Sequence, residues 1–316
     1  MGVAMPRRCV AGLLYPFPHT LSANQYLITP NIALRRKPVD LAEQLANKGL
    51  LLGPPQSPPL LPIERADFLL EVSYEGPVSD PCDSDSVERV LQVERAMRLV
   101  RPSPLHIPYV LYSVDGELRN IASSRSQRLS LSSEAAGSGT CALADADVEE
   151  VRATYEWIST LTKPAHPRLF YALYEYEIAH EMRYAELQVI MLVSGLESLF
   201  ATDSQELTEK LALRTAWFLE EHTETRKETY RQVKRIYRFR SHYVHGGTEM
   251  REDMKRMREM VSLAEGLLRR CLQKIRRNRL EDRFCGRGVD QFLADLTLGV
   301  SGSSAPESGP TAGSPE

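Results

Sequence analysis

The 316-residue sequence predicts a mainly α fold, in which a bundle of four to five helices follows a smaller α+β domain. Three observations predict it. From residue 142 to 283, apolar residues recur at helical three-and-four spacing almost without interruption. Residues 1–121 instead hold short alternating or wholly apolar runs broken by prolines, as in "LLGPPQSPPLLPIE" and "RPSPLHIPYV". Between the two, residues 122–141 are rich in Ser and Gly and poor in apolar side chains, the composition of a connector.

In the first domain, "ADFLLEVSYEG" and "PYVLYSVDGELRNIA" read as strands, the second folding back on itself at Asp115-Gly116, and "SVERVLQVERAMRLV" reads as a helix. In the second domain, "DADVEEVRATYEWISTLT" opens with an Asp cap and an acidic first turn and ends before Pro164. Arg168 to Ala201 form one long or broken helix, with Val189, Leu192, Val193, Leu196, Leu199 and Phe200 on one stripe. The next helix takes Asp203 as its N-cap and Glu206 as the capping-box partner. A fourth runs from Thr225 to His245 with Val233, Ile236, Tyr237, Arg240 and Val244 on one face, and stops at Gly246-Gly247. "TEMREDMKRMREMVSLAEGLLRRCLQKIRR" closes the bundle, and the tail 299–316 is too poor in apolar residues to order itself.

Composition narrows the classes. At 42% hydrophobic and 26% charged, the chain has the make-up of a soluble globular protein, and no apolar run approaches the roughly 20 residues of a membrane span. The N-terminal apolar patch is broken by Pro16 and Pro18, which argues against a secretory signal, and Pro6 stands where myristoylation requires Ser or Thr. Five cysteines, widely spaced and without a C-x-x-C, fit a reduced cytoplasmic protein better than a disulfide framework or a zinc site. Glu177 and His180 have the E-x-x-H spacing of a di-iron helix, but no second copy exists, so neither metal nor cofactor is expected. The charge is uneven: Arg226 to Arg283 carry 18 Lys and Arg against 8 Asp and Glu, while the remainder carries 21 against 34. Such a basic body is one footprint of a phosphate-rich partner, RNA among them; the competing reading is a face paired or solvated within the molecule.

Two charges sit where apolar residues belong. Arg240 shares the stripe of Val233, Ile236, Tyr237 and Val244, and Glu197 lies on or beside the apolar face of its own helix. An unpaired ion in the interior costs several kcal/mol, so the two are candidates to pair, with Arg214 an equal candidate for Glu197. Spacing alone distinguishes little, since "RPSPLH" repeats the Arg-to-His interval of Arg240 and His245 in a segment whose prolines forbid a helix. His242 reads as a surface histidine, and Trp157, Tyr171, Tyr174 and Tyr176 as packing aromatics rather than a base-stacking platform.

"GLESLF" at Gly195–Phe200, "EKLALRTAWFL" at Glu209–Leu219 and "IYRFRSHYVHG" at Ile236–Gly246 occur in an order that resembles a HEPN domain. The resemblance, to the Apea-like group in particular, covers about residues 146–275. Many proteins similar to this are metal-independent ribonucleases, homodimeric, with an R-x4-6-H motif from each copy in one cleft. The resemblance therefore implies Arg240 and His245 as the catalytic pair, with Ser241 in the polar position after the arginine; Glu197, as the candidate partner of Arg240, is the other supporting residue. It also implies roles in phage defence or toxin-like growth arrest. The residue types suit that chemistry: an imidazole moves a proton near neutral pH, and a guanidinium holds a phosphate as charge builds. Attack by the 2′-OH would make DNA a poor substrate. Toxins of the family that are silenced through a tyrosine just after the motif have it where Gly247 and Thr248 stand here, so that control is not expected. The rival expectation is a non-catalytic module that binds RNA or a partner protein, with Arg240 and His245 structural.

Overall fold

The computed structural model describes residues 7–15, 17, 19–50, 63, 66–75, 84–103, 105–123, 142–202, 206–244 and 254–299. Six strands, β1 (Arg7–Leu14), β2 (Gln25–Thr29), β3 (Ile32–Arg36), β4 (Phe68–Glu75), β5 (Tyr109–Val114) and β6 (Glu117–Ser123), form one antiparallel sheet in the order β2-β3-β4-β1-β5-β6. Period-two alternation gives the central strands β1, β4 and β5 two apolar faces. Val10, Leu14, Leu70, Val72 and Val110 look toward the main core, while Ala11, Leu13, Leu69 and Leu111 look the other way, under α1 (Leu41–Asn47) with its Leu41 and Leu45. The predicted hairpin turn joins β5 to β6, with φ 51° at Asp115 and 82° at Gly116, the left-handed pair that a two-residue hairpin needs. α2 (Ser84–Val100) packs against β1 at Gly12, where a Cβ would lie 2.6 Å from Cγ1 of Val90.

The helical region holds α3 (Val148–Thr160), α4 (Pro167–Glu181), α5 (Ala185–Phe200), α6 (Leu207–Leu219), α7 (Thr223–Val244), α8 (Met254–Arg277) and α9 (Val289–Leu298). Six of these lie within residues 142–283, more than the four to five expected. The long segment breaks at Met182–Tyr184, where Met182 and Tyr184 take extended backbone with ψ 132° and 127°. α9 follows beyond residue 283 and packs on α6 through the rings of Phe218, Phe284 and Phe292. No described helix is long and apolar enough to cross a membrane.

Several local expectations need correction. Glu206 does not close a capping box: it immediately precedes α6 with φ 52° and makes no side-chain cap bond, while Asp203 lies outside the described residues. Asp147 stands at the N-cap position of α3 as expected, but its carboxylate makes no bond into the helix: it accepts from the backbone N–H of Ala144 and from Arg101, while Asp145 accepts from Ser22 and Tyr26. Trp157 and Tyr176 are buried as expected, but Tyr171 and Tyr174 are 40% and 49% exposed because they fall on the outer side of α4. The connector beyond Ser123 and the tail beyond Gly299 lie outside the described residues. Apolar packing nevertheless continues across the expected boundary, since one cluster of buried side chains runs from Val10 in β1 to Leu296 in α9.

Where α2, α4 and α8 meet, the core carries charge. Glu94 pairs with Arg98 inside α2, Arg95 reaches Glu177 on α4, and the Tyr176 hydroxyl donates to Glu265, 2.9 Å away on α8. Burial pushes the Glu94 carboxyl up to about 7, against the pull of Arg98. Its folded pKa thus lies above its ordinary value of 4.5, so between those limits the folded chain holds more protons than the unfolded one. Stability from this group is therefore present at the acid end and is lost as pH rises through 7, by at most about 1.4 kcal/mol per pH unit for one proton. Melting temperatures measured from pH 5 to 7.5 should show a shallower decline for Glu94→Gln than for the wild type; parallel curves would contradict this.

Candidate functional site

α5 and α7 pack side by side, and each brings one charge to their contact. On α5, Val193, Leu196 and Phe200 face the core and carry Glu197 along with them; on α7, Val233 and Ile236 do the same for Arg240. The result is an ion pair of 3.5 Å between Nη2 of Arg240 and Oε2 of Glu197, with the two side chains 26% and 17% exposed. Of the two candidates for Glu197, Arg240 is the one that pairs.

That separation exceeds the usual N–H···O distance of about 2.9 Å, so the attraction is Coulombic rather than a locked fork. Arg240 also lies 5.7 Å from the centre of the Tyr237 ring, a cation–π arrangement. Burial raises the Glu197 carboxyl above its ordinary range, and Arg240 and the Tyr237 hydroxyl oppose that rise. Neither Oε1 of Glu197 nor Nε of Arg240 has a hydrogen-bond partner among the described residues. Both of these atoms are buried, so a group arriving from outside would have to meet the guanidinium through the part of the side chain that stays exposed, not through Nε.

Ser241 follows on α7, half-buried, about 100° further round the helix. His245, Gly246 and Gly247 lie outside the described residues, so the motif is placed only through its arginine. Arg214 is buried elsewhere, donating to the Phe200 carbonyl at 2.5 Å and to Oγ1 of Thr297 at 2.8 Å, and so ties the end of α5 to α9. The look-alike interval at Arg101 and His106 is structural: Arg101 makes two bonds to Asp147, of 2.9 and 3.0 Å, and His106 is buried. Glu177 is engaged by Arg95 and His180 stacks edge-on against Tyr176 at 4.7 Å; no metal-holding group of His, Cys, Asp or Glu occurs among the described residues. Burial holds the His180 imidazole well below its ordinary pKa.

His242 departs from the expectation of a surface histidine. It is half-buried, and its Nε2 is buried without a partner among the described residues. Tyr237, which supports Glu197, was foreseen only as a member of the apolar stripe. Its hydroxyl on a stripe that already held Arg240 was the available signal. Much of the basic excess of α7 and α8 is paired within the molecule, as in Arg270 with Glu220 at 2.5 Å, Arg277 with Glu150 at 3.0 Å and Arg269 with Glu265 at 3.1 Å.

No family model, curated protein or solved structure matches the chain. The site's chemistry therefore rests on its own residues and on the motif resemblance. A double-mutant cycle of Arg240→Met and Glu197→Gln, followed by urea unfolding, should give a coupling of about 0.5–3 kcal/mol. Additive losses would mean that the ion pair does not tie α7 to α5.

Proposed function

We propose that this chain is a metal-independent endoribonuclease of the HEPN type, homodimeric through the helices that carry its motif. Arg240 grips the scissile phosphate and His245 moves the proton as the 2′-OH attacks. The observation that supports this reading is the setting of Arg240: a guanidinium on a core-facing stripe, held at one nitrogen by Glu197 and still about a quarter exposed. A group so positioned presents donors to a developing negative charge with little reorganisation, the condition under which electrostatic stabilisation is strongest. Ser241 adds a hydroxyl beside it.

The same ion pair favours a second reading, in which Arg240 is a tie between helices and the domain is a non-catalytic module that binds RNA or a protein. The two readings differ in outcome. Purified protein incubated with RNA in EDTA should cleave it and leave DNA intact. Arg240→Ala and His245→Ala, with folding checked by melting, should each lose on the order of 100-fold or more in rate. Absence of cleavage by the wild type, or cleavage unchanged in both variants, would exclude the ribonuclease and leave the module.

A further inference from the structure

The two sides of α7 differ in content. Arg240 and Glu197 meet on its inner side, whereas Arg231, Lys234, Arg235 and Arg238 recur at three-and-four spacing on the opposite side. With His242 from the same helix and Arg256 from α8, these four line an open cleft of about 500 Å³ between α7 and α8, beside the buried Phe239 and Met260. No carboxylate is among the described residues that line it.

Partners at the margins neutralise only part of this charge. Glu228 lies 3.7 Å from Arg231, Glu259 lies 3.6 Å from Arg235, and Glu209 binds Lys234. Arg238 contributes only its field at Glu209, and Arg238 and Arg256 are exposed and make no ion pair among the described residues. Cations gathered around one concavity repel one another, and a chain of phosphates relieves that repulsion. Arginine dominates the set, and its planar fork matches phosphate oxygens better than an ammonium does. The volume is in the range that takes a small ligand, which suits a short stretch of single strand rather than a duplex.

We propose that the α7–α8 cleft is a track for the phosphate backbone of single-stranded RNA, separate from the Arg240 site and on the other side of the helix. The choice of RNA among polyanions rests on the ribonuclease reading. In that arrangement the cleft sets affinity, and the inner face of α7 sets the chemistry.

Fluorescence anisotropy with a labelled oligouridine tests this on the full chain. The double variant Arg238→Ala/Arg256→Ala should weaken binding on the order of tenfold near 0.1 M salt. It should also lower the slope of log affinity against log salt by roughly 1.4, about 0.7 for each lost contact. Arg119→Ala, an exposed arginine on β6, should change neither quantity, and melting should be unaltered in all variants. RNA bound by the wild type with an affinity insensitive to the double variant would overturn the proposal. So would no affinity for RNA, or tighter binding of polyglutamate than of oligouridine, which would indicate an acidic protein partner. RNA bound through the cleft but left uncut would end the ribonuclease reading and leave the track standing; cleavage with unchanged affinity would do the reverse.

Discussion

Two ions of opposite sign sit on the apolar stripes of neighbouring helices, and each offsets the cost of burying the other. Arg240 cannot sit on the stripe of α7 without an anion, and Glu197 cannot sit on α5 without a cation. Apolar side chains tolerate a shift of register with modest repacking, whereas a displaced ion pair leaves two desolvated charges. α5 also packs against α4, α6 and α8, so the pair fixes the end of α7 relative to most of the helical region. In the proposed function this guanidinium serves as an anion grip while Glu197 engages it at one nitrogen, 3.5 Å away.

Much of the helical architecture could be read from pattern, because burial leaves a periodic trace. The stripe from Val189 to Phe200 is buried throughout, and a charged residue interrupting such a stripe was a readable sign that Glu197 and Arg240 would pair. Features governed by local backbone left no such trace. Nothing in Met182–Tyr184 is a glycine or a proline, yet the chain turns there, and a glutamate takes the left-handed conformation ahead of α6 that sequence would assign to glycine or asparagine. Glu206 therefore looked like part of a capping box. α9 is short and lies beyond the apparent end of the domain; its anchor is the packing of Phe292 against Phe284 and Phe218.

The outer face of α7 shows a different limit. The excess of arginine was countable, but which of those arginines meet internal carboxylates depends on which neighbours α8 packs against, here the end of α6 and α3. Arg270, Arg276 and Arg277 are absorbed by Glu220 and Glu150, while Arg238 and Arg256 make no ion pair among the described residues. Composition alone could not separate these paired arginines from Arg238 and Arg256 in the cleft. Tyr171 and Tyr174 failed for a related reason, since an aromatic on a helix is buried only if a neighbour covers that side. The sheet joins the helices through α2, whose buried Glu94–Arg98 pair and Arg95 contact to Glu177 lie against α4 and α8.

The central claim is that the anchored guanidinium acts on a phosphodiester attacked by its own neighbouring hydroxyl. A labelled DNA strand carrying a single ribonucleotide tests it most directly, because only one linkage then has a 2′-OH beside it. Cleavage confined to that linkage, leaving a 2′,3′-cyclic phosphate and abolished by Arg240→Ala, is the predicted result. Cleavage at deoxynucleotide linkages, or cleavage at the ribonucleotide that survives the loss of Arg240, would contradict it.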